Sequence, residues 1–166
     1  MKHFFILCAG LLMAMSSVKA QSNAYDHIYD PTANAAEDLK KITEQAAKEH
    51  KHVLVQVGGN WCIWCKRFYK LTTEDSLLKK EIAGDYIVYH LNYSKENKNL
   101  PLLAQYGYPE RFGFPVLLVL DGKGNRLHTQ NTGLLEMADG YDPKKVMEML
   151  QQWSPSALNP KNYINE

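Results

Sequence analysis

HVLVQVGGNWCIWCK, residues 52–66, is the stretch on which the fold turns. His52 to Val57 is a short apolar, β-branched run and reads as a buried strand. Gly58-Gly59-Asn60 breaks it, and from Cys62 to about Leu71 the chain reads as a helix, with Thr72-Thr73 interrupting. Two cysteines three apart in a first helical turn can bring their sulfurs together in a small, reducible disulfide. The first sits where unpaired backbone N–H groups and the positive helix end favour an anion. Such a thiol falls from a pKa of about 8.5 to roughly 3.5–7.5, and Lys66 and Arg67 add charge of the same helpful sign. Cys65, one turn in, is expected to be more buried and less acidic. The pair suits a two-step exchange in which Cys62 forms a mixed disulfide and Cys65 resolves it.

Other uses of a C-x-x-C fit less well. Zinc needs about four ligands, and no second Cys/His cluster accompanies the pair, so no metal site is expected. A c-type haem attachment needs His at position 66, where this chain has Lys66. A non-enzymatic binding or chaperone module, or a Cu(I) carrier, stays open as the alternative.

The chain has 166 residues, about one domain's length. Residues 1–20 read as a cleaved secretory signal. Lys2 and His3 form a short positive front, Phe4 to Met15 is almost wholly apolar, and Val18-Lys19-Ala20 ends on a small residue. The apolar run is too short to span a bilayer, and no later segment is long enough either, so no stable membrane insertion is expected. Of the three cysteines, Cys8 leaves with this leader. An exported chain whose remaining cysteines form one close pair is not a disulfide-stapled scaffold, so the pair's use is chemical. The formal net charge of +1 drops to −1 without the leader, which holds two lysines and no acid. That balance argues against nucleic acid or an anionic membrane as the main partner.

Outward from the central stretch, residues 21–33 read as an irregular N-terminal arm with Tyr25, Tyr29 and Pro31. Asn34 caps a helix through about Glu49. Asp75 caps a second stretch, Ser76 to Ile82, that ends before Gly84. Tyr86 to Asn92 reads as a strand. Asn99 and Pro101 open a short helix to Tyr106, stopped by Gly107. Val116 to Leu120 and Arg126 to Asn131 form a hairpin around Asp121-Gly122-Lys123-Gly124-Asn125. Asp142-Pro143 starts a last helix with Val146, Met149, Leu150 and Trp153 on one face, and 154–166 reads as a tail. This order predicts an α/β fold in one domain, residues 34–153. Its mixed sheet has crossover helices between the first strands and an antiparallel pair at the end.

With those residues in view, the chain resembles the thioredoxin-like family. The resemblance rests on Trp61-Cys62-Ile63-Trp64-Cys65-Lys66 after an apolar strand, and on the run from Phe114-Pro115 to Gly124 near the end. It is similar to exported bacterial thioredoxin-like proteins and to the soluble C-terminal domain of periplasmic-facing thiol reductases, which also carry a helix before the first strand. The resemblance implies a thioredoxin-like fold, a cis Phe114–Pro115 bond facing the disulfide, and a substrate strand held near Phe114. Trp61 and Trp64 complete an apolar lip, Trp61 mostly structural and Trp64 mostly exposed. Many relatives have a buried aspartate six residues before the first cysteine. Here Gln56 stands there, and His90, on the next strand, is a candidate for the proton relay.

The implied function is an exported, most simply periplasmic, thiol–disulfide oxidoreductase acting on protein thiols and disulfides as a reductase. It needs no bound cofactor and trades electrons with a membrane or soluble dithiol partner. Isomerase activity profits from a dimer or an extra domain; the expectation here is a monomer. Two weaker motifs are set aside. Asp121 to Asn125 is a hairpin turn, since Lys123 takes a calcium-ligand position, and Asn92-Tyr93-Ser94 is a sequon of a kind that chance supplies often.

Overall fold

The computed structural model describes residues 24–164, so the leader reading lies outside the described residues. Asn34 accepts from the Glu37 N–H and caps α1 (Ala35–Glu49), which ends at His50 in a left-handed conformation. β1 (His52–Gly58) follows, then α2 (Ile63–Glu74), α3 (Ser76–Asp85), β2 (Tyr86–Asn92) and the short α4 (Leu100–Gln105). β3 (Val116–Leu120) and β4 (Arg126–Asn131) form the hairpin. A two-residue pair, β5 (Glu136–Met137) with β6 (Gly140–Tyr141), precedes α5 (Pro143–Gln152).

The main sheet has the order β2-β1-β3-β4. β1 pairs parallel with β2, reached by the α2–α3 crossover, and antiparallel with β3. Because side chains alternate along a strand, β1 feeds two cores. Val53, Val55 and Val57 join Leu118 and Leu120 against α1 and α4. Leu54, with Leu117 and Val119, meets Phe68 of α2, Leu78 of α3 and Val146 and Leu150 of α5. β1 is thus covered on both faces, which explains why its sequence is apolar without alternation.

Two local expectations fail. α2 does not stop at Thr72-Thr73. Their hydroxyls turn back onto the carbonyls of Phe68, Tyr69 and Lys70, so the helix carries both residues without leaving a polar group exposed to its own backbone. α3 likewise runs through Gly84 to Asp85, because β2 begins at the next residue and leaves no room for a connecting loop. Its start is as read, with Asp75 accepting from the N–H groups of Leu77 and Leu78. The Asp121 carboxylate is spent on the turn, accepting from the N–H groups of Lys123 and Asn125. Asn92 of the sequon is buried, its amide donating to Ser94 Oγ and the Asn97 carbonyl.

One buried bond ties the edge strand to the last helix: the Tyr86 hydroxyl donates to the Leu150 carbonyl at 2.5 Å. Tyr86→Phe keeps the ring and leaves that carbonyl without this donor, which costs about 1–3 kcal/mol. The urea midpoint should fall accordingly with an unchanged slope; an unshifted midpoint would show that the bond contributes nothing.

Candidate active site

The alternation that splits the core also builds the site. Leu54, Gln56 and Gly58 of β1 point to the α2 side, and Gly58 ends the strand beneath the first turn of α2. A Cβ on Gly58 would overlap Cys65 Sγ and stand 2.7 Å from the Tyr29 hydroxyl oxygen. Glycine is required there by close approach, and a strand can end on it where a sulfur must pass.

Cys62 is the N-cap of α2, with extended backbone (φ −90°, ψ 109°), and its Sγ accepts the Cys65 N–H at 3.1 Å. The two cysteines are joined in a disulfide with their Cα atoms 5.2 Å apart. The cap position is the one in which a sulfur anion is best served, by an oriented N–H and by the positive end of twelve helical residues. Cys62 keeps 5% of its surface and Cys65 none, so an incoming sulfur meets Cys62 first.

The Phe114–Pro115 bond is cis. Pro115 is buried, its carbonyl accepting from Thr132 Oγ1, and Phe114 packs on the cluster of Tyr29, Cys62 and Cys65. The apolar lip differs from expectation in its tryptophans. Trp61 is 60% exposed, because it stands in the turn ahead of the helix and projects outward. It is nonetheless fixed, its Nε1 donating to the Tyr93 carbonyl at 2.8 Å and its ring edge-on to Phe114 at 5.5 Å. Trp64 is the half-buried one. As the second residue of α2 it turns inward, between Tyr141 at 5.7 Å and the Arg67 guanidinium at 4.7 Å. The exposed partner of Trp61 beside the cysteines is Ile63.

The two residues considered for the proton relay, Gln56 and His90, are both engaged by neighbouring groups. Gln56 is buried, and its Nε2 donates both to the Tyr29 hydroxyl oxygen at 2.6 Å and to the Cys65 carbonyl at 3.1 Å. It holds the two in place. His90 pairs with Gln56 across the strands, but its ring contacts are edge-on with Tyr29 and Tyr69. Burial pushes it down to about 4, so it is neutral at physiological pH. The basic pair after Cys65 is also engaged: Lys66 is 2.5 Å from Asp26, and Arg67 lies over Trp64.

Sequence reasoning missed Tyr29, Asn60, Tyr93 and Tyr141. Tyr29 sits in the arm, where nothing periodic marks it, and is 2% exposed. Asn60 locks it by a reciprocal pair, accepting the Tyr29 N–H at 3.0 Å and donating to its carbonyl at 2.8 Å. The arm also lies along α2, where Tyr25 donates to Glu74 and meets the Tyr69 ring. An aromatic in a polar segment was the one signal available. Among the described residues, no group of three or more His, Cys, Asp and Glu is arranged to hold a metal ion.

Comparison with known proteins agrees with this geometry. A family model described as thioredoxin-like matches residues 33–122. The thiol:disulfide interchange protein DsbD of Yersinia pestis is 28% identical over 120 residues, which are 71% of this chain and 19% of the relative. The protein of that name from Colwellia psychrerythraea is 27% identical over 130 residues, 77% of this chain and 21% of the relative. The chain therefore spans about a fifth of the length of these relatives. Among solved structures, a disulphide isomerase from Xylella fastidiosa Temecula1 superposes with a TM-score of 0.64 at 24% identity, covering 75% of this chain and 94% of that one. The oxidised C-terminal domain of Neisseria meningitidis DsbD gives 0.51 at 22% identity, covering 71% and 95%. With a sheet of this order, a helix-capping Cys62 bonded to Cys65 and a cis-proline beside them, the chain belongs to the thioredoxin-like family.

Proposed function

We propose that the protein works outside the cytoplasm as a reductase of protein disulfides, with Cys62 as nucleophile and Cys65 as resolving thiol. The observation that carries this reading is the asymmetry of the pair: Cys62 caps the helix and retains some surface, while Cys65 is wholly buried. A client disulfide reached across Trp61, Ile63 and Phe114 meets Cys62 and forms a mixed disulfide. Cys65, already within bonding reach, displaces the client and closes the ring. No bound cofactor is required, because both electrons reside in the dithiol. Each turnover leaves the pair oxidised, so a second dithiol protein, soluble or membrane-bound, must reduce it. The leader-like first twenty residues support export to the periplasm, where such a donor is needed because the compartment is oxidising. The relatives' name, thiol:disulfide interchange protein, supports the reaction class. The protein acts as a monomer.

The equilibrium potential of the Cys62–Cys65 pair tests the direction. Titration against glutathione and dithiothreitol ratios, followed by the fluorescence of Trp61 and Trp64, should give a value near that of thioredoxin, about −270 mV. A value near about −120 mV would make the protein a disulfide donor instead. Cys62→Ser should abolish reduction of a protein disulfide while client binding survives. The absence of any reversible transition would move a binding module to the front.

The site also fixes a pH dependence. His90 titrates at about 4 in the folded protein, against 6.5 for the free side chain. Between these values the unfolded chain takes a proton that the folded one refuses, so stability is full above about 6.5 and declines as pH falls toward 4. His90→Phe, which keeps a ring between Tyr29 and Tyr69, should flatten that part of the urea-midpoint profile. An identical slope in wild type and variant would assign the loss to other groups.

A further inference from the structure

Gln56 donates from one nitrogen to two oxygens, and its orientation has a consequence for Tyr29. The Cys65 carbonyl can only accept, so the amide atom 3.1 Å from it must be Nε2. The same Nε2 is 2.6 Å from the Tyr29 hydroxyl, which must therefore accept from it. The hydroxyl's own hydrogen is thereby turned away from Gln56, inside a space where Tyr29 is 2% exposed. That hydroxyl oxygen and Cys65 Sγ both lie within 2.7 Å of where a Gly58 Cβ would be. The two atoms therefore lie within about 5 Å of each other, in one buried cluster beside the backbone of Gly58.

We propose that Tyr29 is a positioning residue for the resolving step, donating its O–H to the Cys65 sulfur when the disulfide opens. A disulfide sulfur accepts weakly, whereas a thiolate is a charged acceptor served about twice as well as a neutral one. The hydroxyl therefore gains a strong acceptor only in the reduced and reacting states. This assignment rests on the exchange reading above. In that reaction the Cys62 thiolate attacks one sulfur of the client disulfide, which forms the mixed disulfide and frees the other client sulfur as a thiolate. That thiolate takes the proton of the Cys65 thiol. The Cys65 thiolate then attacks Cys62 Sγ, closing the Cys62–Cys65 bond and expelling the remaining client thiolate, which solvent protonates. Two electrons pass from the cysteine pair to the client, and the Tyr29 proton stays on its oxygen throughout. Burial holds this hydroxyl well above the ordinary tyrosine value, so it stays a donor across the working range.

The surroundings leave this task to Tyr29. The Tyr141 hydroxyl, from β6, is turned to the Trp64 carbonyl at 3.4 Å. His90, from β2, lies edge-on to the Tyr29 ring at 5.6 Å. Lys66, on α2 itself, is paired with Asp26 of the arm. Cys62 is the bonded partner, and Gln56 carries no charge.

The Cys62→Ser protein isolates the Cys65 thiol, whose titration is read from its thiolate ultraviolet absorbance. This measurement needs no client, so it stands whether or not the protein proves to be a reductase. Adding Tyr29→Phe removes the donor and keeps the ring. Its loss should raise the Cys65 midpoint by about one pH unit, a roughly tenfold loss of thiolate at any pH below both midpoints. A midpoint that does not move overturns the proposal. In parallel, a fluorinated tyrosine at position 29 keeps the hydroxyl and makes it a stronger donor, which should lower the midpoint. This arm covers the case in which Tyr29→Phe fails to fold, and an unchanged midpoint there overturns the proposal equally. In the protein with both cysteines, Tyr29→Phe should accumulate the mixed disulfide with a model peptide about tenfold over wild type; equal resolution rates would contradict it.

Discussion

A sulfur atom used as a helix cap is the constraint on which the rest of the site depends. Cys62 can accept the Cys65 N–H only if it holds extended backbone at the point where the helix begins. The sulfur of Cys65 then points back toward the end of β1, and the strand must terminate in a residue with no side chain. Gly58 meets that demand, and the residues two and four before it, Gln56 and Leu54, necessarily face the same side. Gln56 thereby reaches the Cys65 carbonyl, while Leu54 enters the core under α2. The register of one strand against one helix sets the disulfide, the amide beside it and the packing beneath it.

The parts legible in the sequence are those decided locally. Asn34, Asp75 and Asp142 announce helix starts because a short side chain accepting a backbone N–H works the same way in any setting. β1 and the β3–β4 hairpin declare themselves by β-branched runs and a glycine-rich turn. The errors arise where tertiary context overrides a local rule. Thr72, Thr73 and Gly84 weaken a helix taken alone, but α2 and α3 pack against the sheet and against each other and retain them. Trp61 and Trp64 exchange their expected exposures because their directions depend on where the first turn of α2 lies against β6, which spacing does not encode. Tyr29 is illegible for a further reason: its partners Gln56 and Asn60 lie 27 and 31 residues away, and no period connects them.

The same constraint separates the two cysteines electrostatically. Lys66 and Arg67 looked like the source of the field favouring a thiolate, yet Lys66 faces Asp26 and Arg67 lies on an aromatic ring. The field at Cys62 therefore comes chiefly from the helix end, which is fixed in the backbone and cannot move with a side chain. Cys65 has the opposite surroundings. It has no exposed surface, and the side chain next to its carbonyl is a neutral amide. Burial disfavours its anion, so without a donor Cys65 would be a slow resolving thiol. A buried carboxylate near it would take its proton but oppose the charge formed. An uncharged hydroxyl aimed at the sulfur stabilises that charge with no like-charge penalty, at the cost of accepting no proton itself.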